Sequence, residues 1–424
     1  MAITRPRGTN DFLPEETAKW QKIESMLRDL CQIFGFGEIR TPIFEETDLF
    51  CRGVGDTTDI VQKEMYTFND QGGRSLTLRP ENTASAARAY LENKLFAAPQ
   101  PVKLYYLGPM FRYERPQAGR FRQFHQFGIE LFGSDSPFAD AEVIGFAWEL
   151  YRRFGLKDLR LEINSVGCSK CRPNHREALQ EYLRPHLNDL CQTCQDRFAR
   201  NPLRIFDCKS PVCQNLIQGS PTMREHLCPE CADHFEAVKK ALITADIPFQ
   251  INDNMVRGLD YYTKTAFEII TDQIGAQGTI CGGGRYDGLI AEIGGGDSVP
   301  GVGFAMGLER LLAVLRVQEH DLETGAEIDV FVATVTDEEE ETGQRAFALA
   351  MDLRRMGFKV QQDLMARSLK AQLKAADKTG ARYVIIIGGE ELLRNTAVIK
   401  DMKQGEQVEV PLQEIKQFFV STNK

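Results

Sequence analysis

The chain has 424 residues, of which 42% are hydrophobic and 26% charged, a balance typical of a globular protein with two or three domains. No run approaches the ~20 apolar residues that a membrane span needs, and the first residues lack the apolar stretch of a secretory signal, so we expect a cytoplasmic protein. The net charge of −9 excludes general electrostatic attraction to nucleic acid, and any such contact must use a local basic patch.

The N-terminal part of the chain alternates between helical and strand-like patterns. Residues 14–34 have apolar side chains at helical spacing. Segments with period-two apolar patterns follow and predict strands at 38–43, 75–79, 103–112 and 123–132. A helix is expected over 140–154 and a strand over 160–164. Because the strands have hairpin-length connections, we predict a mainly antiparallel sheet.

The composition changes at Cys168. Residues 168–246 contain eight of the eleven cysteines and little strand signal, which predicts a small, helix-rich inserted module. Strand patterns resume at 249–252 and 266–271. They are followed by a glycine-rich stretch over 281–286 and a strand-to-helix segment over 300–317.

The C-terminal part begins after a predicted linker at 319–325. Strands and helices then alternate, at 329–334, 338–356, 359–362, 369–379 and 383–387. This rhythm predicts an α/β layer fold with a largely parallel sheet. Residues 345–424 contain fourteen Lys and Arg against nine Asp and Glu, so this part is locally basic.

A first group of polar residues lies in the segment Phe111–Arg115, which is followed by Arg120, Arg122 and Phe124. The pattern predicts a strand, a basic turn and a returning strand, with Arg112 and Glu114 on one face. A guanidinium fork can hold a phosphate there, and the carboxylate can accept from the amino group of a base. A cross-strand ion pair is the structural alternative.

A second group lies in the segment Gly301–Arg310, where glycines permit close approach of the backbone to a ligand. Arg310 is expected near the start of a helix, where it could bind a terminal phosphate. The alternative is a glycine-rich turn that carries a surface arginine. The sequence contains no GxxxxGK[ST] run, so a P-loop is excluded.

These two groups, together with Pro42, resemble the three motifs of class II aminoacyl-tRNA synthetases. Two further segments, Arg257–Tyr262 (RGLDYY) and Gly283–Gly288 (GGRYDG), resemble the two histidine-specific motifs of histidyl-tRNA synthetases. The resemblance, to the bacterial type, extends from Arg7–Asp11 to the C-terminal domain.

The resemblance implies an α+β fold in which helices flank an antiparallel active-site sheet. The catalytic domain would comprise residues 1–167 and 247–320, the helical Cys-rich insertion 168–246, and the C-terminal α/β anticodon-binding domain 326–424. The family forms homodimers, with Pro42 at the interface. Its members use ATP with Mg²⁺ to convert L-histidine to histidyl-adenylate and pyrophosphate, and then transfer the histidyl group to the 3′ end of tRNA(His).

For ATP, the resemblance places Arg112 at the α-phosphate, Glu114 at the adenine amino group, Phe124 on the adenine face and Arg310 at the γ-phosphate. The arginines between and beside the two strands are candidates for contact with the tRNA acceptor end, together with one glutamine: Arg115, Gln117, Arg120 and Arg122. A solvated basic turn is the alternative for this second set.

For histidine, the resemblance places Glu130 and Tyr262 at the imidazole and Tyr286 in the pocket wall. The α-amino group would be bound by Glu81, Thr83 and Gln126. Arg257 would contact the carboxylate and the α-phosphate and, with Arg112, act in catalysis, because a cation there stabilises charge developing at phosphorus. A pocket that bonds both ring nitrogens rejects apolar isosteres, which leave buried polar groups unpaired.

One departure from the family occurs at Asn82. The family often has Arg-Pro-Glu-Gly-Thr where this chain has Arg79–Thr83 (RPENT). Asparagine is the residue other than glycine that best tolerates positive φ. The backbone turn is therefore expected to persist, with Glu81 and Thr83 kept as ligands.

The inserted module contains three CxxC pairs and one looser pair: Cys168/Cys171, Cys191/Cys194, Cys228/Cys231 and Cys208/Cys213. CxxC spacing suits two ligands of a tetrahedral Zn²⁺, so the thiols could hold two structural zinc ions, or one with spares. Buried, reduced thiols that pack as small hydrophobic groups are the alternative.

Two competing functions follow from parts of the sequence. One is a non-catalytic paralogue of the synthetase, a regulatory subunit of the first enzyme of histidine biosynthesis, which typically lacks the anticodon-binding domain and has degraded ATP motifs. The other is a zinc-ribbon nucleic-acid binder, which rests on the cysteine pairs and leaves the rest of the chain unexplained.

Overall fold

A computed structural model describes residues 3–55, 58–117, 119–274, 278–320, 322, 328–335 and 340–422. The chain divides into two compact units, Met1–Asp321 and Leu322–Lys424. Most of the linker predicted at 319–325, and the first two residues of the helix predicted at 338–356, lie outside the described residues. Within the described ranges, no helix has the length and apolar character needed to cross a bilayer.

The strands of the first unit are, in chain order, β1 (Gly37–Glu38), β2 (Phe44–Glu46), β3 (Tyr66–Asn69), β4 (Ser75–Leu78), β5 (Val102–Phe111), β6 (Gln123–Phe132), β7 (Arg160–Ser165), β8 (Gln250–Ile251), β9 (Thr263–Ile270), β10 (Thr279–Arg285) and β11 (Gly301–Gly307). Eight of them form one sheet in the order β1-β5-β6-β11-β10-β9-β7-β8. The two outermost pairings are parallel and the other five are antiparallel, which confirms the predicted mainly antiparallel sheet. A smaller antiparallel sheet has the order β2-β4-β3.

The helices of the first unit are α1 (Pro14–Phe34), α2 (Thr47–Val54), α3 (Thr83–Glu92), α4 (Pro137–Arg153), α5 (Cys171–Leu183), α6 (Gln192–Arg200), α7 (Pro211–Ile217), α8 (Pro229–Thr244) and α9 (Leu308–Val317). Short 3₁₀ or π turns occur at Ile60–Glu64, Leu95–Ala97, Arg184–Asp189, Pro202–Ile205, Met223–His226 and Ala291–Gly295. Residues 168–246 are all described and contain helices without a strand, as the sequence predicted.

Helix α1 shows how the apolar spacing determines a boundary and a buried face. Proline occupies its first turn, where a missing N–H costs nothing, and Gly35 ends it with a left-handed φ of 75°. Ile23 and Leu27, four residues apart, are fully buried. Each such burial contributes roughly 1.5–3 kcal/mol.

The predicted strand at 38–43 is wrong beyond Glu38. Residues 39–43 pass from the large sheet to the small one, and one of their backbone carbonyl groups is bonded by a side chain: Arg79 Nη1 donates to Thr41 O at 3.1 Å.

The glycine-rich stretch at 281–286 is mostly strand β10, which pairs on both sides. Its glycines carry no apolar alternation, so the pattern could not identify it.

The second unit contains β12 (Val330–Thr334), α10 (Glu340–Arg355), β13 (Val360–Gln362), α11 (Leu369–Lys378), β14 (Tyr383–Ile387), α12 (Gly389–Leu393), β15 (Thr396–Asp401), β16 (Gln407–Pro411), a 3₁₀ turn at Leu412–Glu414 and α13 (Ile415–Thr422). Its sheet has the order β13-β12-β14-β15-β16. The α/β layers are confirmed, but two of the four pairings are antiparallel, so a largely parallel sheet was wrong. The connections after β14 are too short for the crossover that parallel strands require.

A buried ion pair joins the large sheet to the helix beneath it. Arg285, at the end of β10, donates from Nε to both carboxylate oxygens of Asp140 in α4, at 3.2 and 3.0 Å. Both side chains are almost completely buried, and His234 Nε2 of α8 lies 3.3 Å from the same carboxylate. Burial alone would raise the pKa of Asp140, but the bonds from His234 and Arg285 hold it below its usual value.

We predict that Asp140→Ala lowers the free energy of unfolding by about 3–5 kcal/mol, because it leaves the Arg285 guanidinium buried and uncompensated. Urea unfolding followed by tryptophan fluorescence measures this, since Trp20 and Trp148 both lie in the first unit. The control is Asp272→Ala, whose ion pair with Arg160 is exposed to solvent and should therefore contribute little to stability. Equal losses in the two variants would contradict the role given to the buried pair.

Candidate active site

One cavity of about 790 Å³ opens on the large sheet of the first unit. Its size is that of a small-molecule site. Of the residues that the sequence singled out for histidine, ATP and catalysis, the lining includes all except Glu130: Glu81, Thr83, Arg112, Glu114, Phe124, Gln126, Arg257, Tyr262, Tyr286 and Arg310. It also includes Arg120 from the set proposed for the tRNA acceptor end. The structure therefore brings together residues that are up to 229 positions apart in the chain.

Glu130 of β6 lies behind the lining residues Thr83 and Tyr286, with which it is in contact, and it is fully buried. Its carboxyl group accepts hydrogen bonds from Thr83 Oγ1 at 2.7 Å, from Tyr106 Oη at 3.2 Å and from Tyr286 Oη. Burial raises the pKa of Glu130 to about 8, against the lowering effect of the Tyr286 and Thr83 hydroxyls. The group is therefore largely protonated at neutral pH, and a basic ring beside it could share its proton.

Space for Glu130 comes from the strand beside it. Gly303 of β11 is paired directly with Glu130. A Cβ atom at position 303 would overlap Glu130 Oε2 and the Ile129 carbonyl oxygen. The glycine-rich segment 301–310 thus serves close packing of a carboxyl group as well as a backbone turn.

Glu81 lies two residues before α3, and its side chain caps that helix. Its carboxylate accepts from the backbone N–H groups of Thr83 at 2.8 Å and Ala84 at 3.0 Å. Burial raises the pKa of Glu81, while these bonds lower it. The helix N-terminus fixes the carboxylate at the cavity wall.

The turn at Asn82 makes no use of the tolerance of asparagine for positive φ, because its φ is −121°. Asn82 is instead held by its side chain, whose Oδ1 accepts from Thr41 Oγ1 at 2.7 Å and from Arg79 Nη1 at 3.2 Å. The asparagine therefore ties the loop before α3 to the segment around Thr41, and the turn does not depend on left-handed backbone.

Arg257 reaches the cavity floor from the loop between β8 and β9. It forms an ion pair with Glu268, and its guanidinium lies 5.1 Å from the centroid of the Tyr262 ring. Gly282 lies beneath it, and a Cβ atom there would collide with the guanidinium. Arg257 is thus held by a carboxylate, an aromatic ring and a glycine in three different elements.

The Arg112 group lies just beyond the end of β5, so the prediction that Arg112 and Glu114 are on a strand is wrong by one to three residues. The two side chains nevertheless stay together: Arg112 Nη1 is 3.9 Å from Glu114 Oε1, and the guanidinium lies 5.3 Å from the Phe124 ring centroid. Arg112 Nε is fixed by Pro80 O at 2.8 Å.

Arg310 lies in the first turn of α9, as predicted. Burial and the neighbouring Arg120 lower the pKa of its guanidinium. Arg120 also bonds Glu114 at 2.9 Å, so the basic turn and α9 face the same part of the cavity.

The remaining residues of the basic turn are divided between the cavity and the surface. Gln117 and Arg120 exchange backbone hydrogen bonds of 3.2 and 2.9 Å, which closes the turn. Arg115 and Gln117 are exposed. The Arg122 guanidinium packs 4.0 Å from the Tyr113 ring centroid.

Sequence reasoning missed three residues that hold the site. Tyr106 and Glu268 lie within strands that the sequence predicted, but neither was assigned a role. A hydroxyl or carboxyl group within an otherwise apolar strand is the feature that could have identified each of them as a site residue. Glu309 accepts from His125 N at 2.9 Å and lies 3.0 Å from His125 Nδ1. This pairing fixes β6 against the start of α9, beside Arg310.

The eight cysteines of residues 168–246 form two separate groups. The first cysteine set is Cys168, Cys171, Cys228 and Cys231, and the second cysteine set is Cys191, Cys194, Cys208 and Cys213. Within each set, all four Sγ atoms lie within 4.8 Å of one another, and all eight are free thiols. The looser pair Cys208/Cys213 thus belongs with Cys191/Cys194.

Family models account for nearly the whole chain. The model described as histidyl-tRNA synthetase matches residues 8–311. The model described as an anticodon binding domain matches residues 329–422. The first match covers the cavity and both cysteine sets, and the second covers the sheet of the second unit.

Curated relatives and a solved structure agree with these models. The histidine–tRNA ligase of Desulforamulus reducens is 58% identical over 415 residues, which cover 98% of each chain. That of Pelotomaculum thermopropionicum is 56% identical and covers 99% of this chain and 97% of its own. The crystal structure of apo S. aureus histidyl-tRNA synthetase is 41% identical, with a TM-score of 0.84, and covers 99% of this chain and 100% of its own. The chain belongs to the histidyl-tRNA synthetase family.

Proposed function

We propose that this chain is a histidine–tRNA ligase. It activates L-histidine with ATP to give histidyl-adenylate and pyrophosphate, and it transfers the histidyl group to the 3′ end of tRNA(His). The observation that carries the proposal is a single cavity in which a buried acid pocket around Glu130 adjoins arginines suited to a triphosphate. Family membership and the relatives' names support the choice of amino acid and of tRNA.

Recognition of histidine is assigned to the pocket around Glu130. Glu130 and Tyr262 bond the two ring nitrogens, and Tyr286, which already bonds Glu130, forms the wall. A ligand without a ring donor and acceptor leaves these buried groups unpaired, which is the basis of selectivity. The α-amino group is assigned to the residues at the start of α3 and on β6: Glu81, Thr83 and Gln126.

Activation is assigned to the arginines. A carboxylate oxygen of histidine attacks the α-phosphorus, and the bond from that phosphorus to the β-phosphate bridging oxygen breaks, which releases pyrophosphate. Arg257 and Arg112 stabilise the charge at the α-phosphate, and Arg310 holds the γ-phosphate. Glu114 and Phe124 hold the adenine, and Mg²⁺ enters with ATP. The reaction needs no protein nucleophile, since positioning and charge stabilisation suffice.

Transfer follows when the terminal ribose hydroxyl of the tRNA attacks the carbonyl carbon of the adenylate and AMP leaves. The acceptor end is assigned to the basic turn, with Arg115 and Gln117 exposed and Arg120 at the cavity. The second unit, matched by the anticodon-binding model, is assigned to the anticodon arm. This function places the protein in the cytoplasm.

A homodimer is part of the proposal. Pro42 is exposed, and the next residues continue an apolar surface: Ile43 and Phe44 are 44% and 51% exposed, and Phe68 on the same small sheet is 45% exposed. Exposed apolar side chains that lie together are characteristic of an interface. The two cysteine sets are assigned to structural zinc.

The rival functions explain less. A regulatory paralogue has no need of the ATP-side residues, yet Arg112, Glu114, Arg257 and Arg310 all line one cavity here, and a second unit is present. A zinc-dependent nucleic-acid binder leaves that cavity unexplained. Histidine-dependent exchange of pyrophosphate into ATP tests the proposal, and its absence in well-folded protein would defeat it.

Arg257→Ala should lower kcat/KM for histidine-dependent pyrophosphate exchange by roughly a hundredfold or more, on the scale of losing a main charge stabiliser. Folding should be preserved, as checked by tryptophan fluorescence. The matched control is Arg160→Ala, which removes a half-exposed arginine paired with Asp272 outside the cavity lining. Near-wild-type exchange in the Arg257 variant would remove that residue from the proposed reaction centre.

The free energy of unfolding of the Glu130→Gln variant should increase, relative to that of the wild type, as pH rises. The folded pKa of about 8 lies above the ordinary 4.5, so folded Glu130 keeps a proton that the unfolded chain has released. Its contribution to stability is therefore full below pH ~4.5 and is lost as pH rises through ~8. Urea unfolding near pH ~5 and ~8.5 should show a relative gain on the order of a few kcal/mol for the variant.

The control for this pH experiment is Glu92→Gln, because Glu92 is 68% exposed on the same unit. It should show no such trend. A difference between wild type and Glu130→Gln that is the same at both pH values would mean that Glu130 titrates normally in the folded state.

Removal of residues 326–424 should reduce tRNA charging by about a hundredfold or more while exchange falls by less than about threefold. The reason is that the cavity is built entirely from residues of the first unit, and each unit has its own core. Exchange and charging are measured on the same preparations. An equal loss of both activities would mean that the second unit supports the catalytic fold.

A further inference from the structure

The two cysteine sets have the geometry of metal centres. Four sulfurs placed tetrahedrally about 2.3 Å from one Zn²⁺ are about 3.8 Å apart. Cys168 Sγ lies 3.6 Å from Cys171 Sγ and 3.9 Å from Cys228 Sγ. In the second set, Cys191 Sγ lies 3.7 Å from Cys208 Sγ. A disulfide requires about 2.05 Å, so these thiols are spaced as ligands of a shared ion.

The backbone around the sulfurs favours thiolates. Helix α5 begins at Cys171, α6 follows Cys191 and α8 follows Cys228, so each CxxC pair lies at a helix N-terminus. The free N–H groups and the dipole there stabilise negative charge. Four backbone N–H groups also donate to cysteine sulfur, those of Lys170, Cys191, Ser210 and Cys228, at 3.1–3.4 Å.

Packing as small hydrophobic groups does not account for this arrangement. Cys168, Cys191 and Cys228 are only partly buried. The core around the first set holds Met223 as its one fully buried residue apart from Cys171 and Cys231. A core as small as the one around the first set is usually supplemented by a metal or by disulfides, and disulfides are excluded here because the thiols are free. The second set lies in a larger apolar core that includes Leu179, Leu183 and Ile205, so its case rests on the spacing of its sulfurs.

An arginine close in sequence to each cysteine set contacts the segment 257–262. Arg172 follows Cys171 directly, and its guanidinium donates to the carbonyl oxygen of Tyr262 and, from Nε, to Val166 O at 3.3 Å. Arg204, four residues before Cys208, donates to Gly258 O at 2.8 Å and lies 3.1 Å from Asp260 Oδ1. The two arginines thus bind near opposite ends of the segment that carries Arg257 and Tyr262.

We propose that each cysteine set binds one Zn²⁺ as a closed tetrathiolate centre, and that the two centres position Arg172 and Arg204, which fix the two ends of the segment 257–262. The positioning half rests on the proposed function, because it concerns the loop that carries two of the assigned histidine contacts. The metal half does not depend on it.

Metal content of the full-length protein, purified without chelators from zinc-supplemented cells, tests the metal half. We expect two zinc ions per chain, one in Cys168→Ser/Cys228→Ser, one in Cys191→Ser/Cys208→Ser, and two in the control Cys51→Ser, whose thiol belongs to neither set. Fewer than one zinc in the wild type, an unchanged count in both double variants, or iron with acid-labile sulfide would overturn the proposal.

A double variant can lose both ions because the module unfolds, and cobalt substitution of the wild type then decides. Two Co²⁺ per chain with intense thiolate-to-cobalt charge-transfer bands support two centres. A single Co²⁺ per chain, or a spectrum without thiolate bands, overturns them.

The positioning half is tested in the exchange assay with Arg172→Ala and Arg172→Lys. We expect Arg172→Ala to raise KM for histidine about tenfold or more, by misplacing Tyr262, with KM for ATP changed less and two zinc ions retained. Arg172→Lys should recover part of the loss, since it keeps a donor. An unchanged KM for histidine would overturn this half.

Failure of the metal centres and failure of the proposed function give different results. Wild-type protein that is active but contains no zinc would overturn the metal centres and leave the proposed function unaffected. Protein that contains two zinc ions but shows no exchange would overturn the proposed function and leave the metal centres unaffected.

Discussion

A carboxyl group with no contact to water lies at the centre of the first unit, and much of the surrounding structure accommodates it. Glu130 projects from β6 among the hydroxyl groups of Thr83, Tyr106 and Tyr286. An ionised carboxylate in such a place is unfavourable by several kcal/mol unless it is paired or protonated. The pocket is therefore matched to a ligand that can take or share a proton, and imidazole is the amino-acid side chain that does so near neutral pH.

The buried Glu130 carboxyl group restricts which residues can surround it and where they can lie. The strand facing β6 must have glycine at 303, and the pairing of Tyr106 of β5 with Gly128 must place the Tyr106 hydroxyl diagonally across from Glu130. Thr83 is available because Glu81 and Asn82 fix the start of α3. The Arg285–Asp140 pair beneath the sheet then holds Tyr286, the next residue, in place. The pocket proposed for histidine and the sheet are therefore built from the same packing contacts.

The sequence predicted those helices and strands in which apolar side chains recur at regular spacing. Helix α1 and strand β6 have apolar residues at regular spacing, and their bounds were predicted to the residue. Strand β10 was not recognised because glycines carry no such pattern. The pairing direction in the second unit depends on connection lengths after Ile387, which periodicity does not report.

The identities of the site residues could be predicted more readily than the contacts that hold them in place. Arg112, Arg257 and Arg310 were singled out by motif, and the structure places all three at one cavity. The partners that hold them, such as Glu268 and Glu309, follow from strand register and from helix packing, over separations of up to 184 residues. No local pattern carries that information, so these partners emerge from the fold alone.

Strands β7 and β8 are parallel neighbours, so the chain between them must cross the face of the sheet. Helix α8 makes that crossing, packed on α4 through His234 and Asp140. Everything from Cys168 to Cys228 is then an excursion that leaves and returns at one point, where Cys168 Sγ and Cys228 Sγ are 3.9 Å apart. The crossover itself is therefore complete without the excursion, whose two ends meet at the first cysteine set. Its length can change without breaking the sheet, but only a version that keeps Arg172 and Arg204 still reaches the segment 257–262.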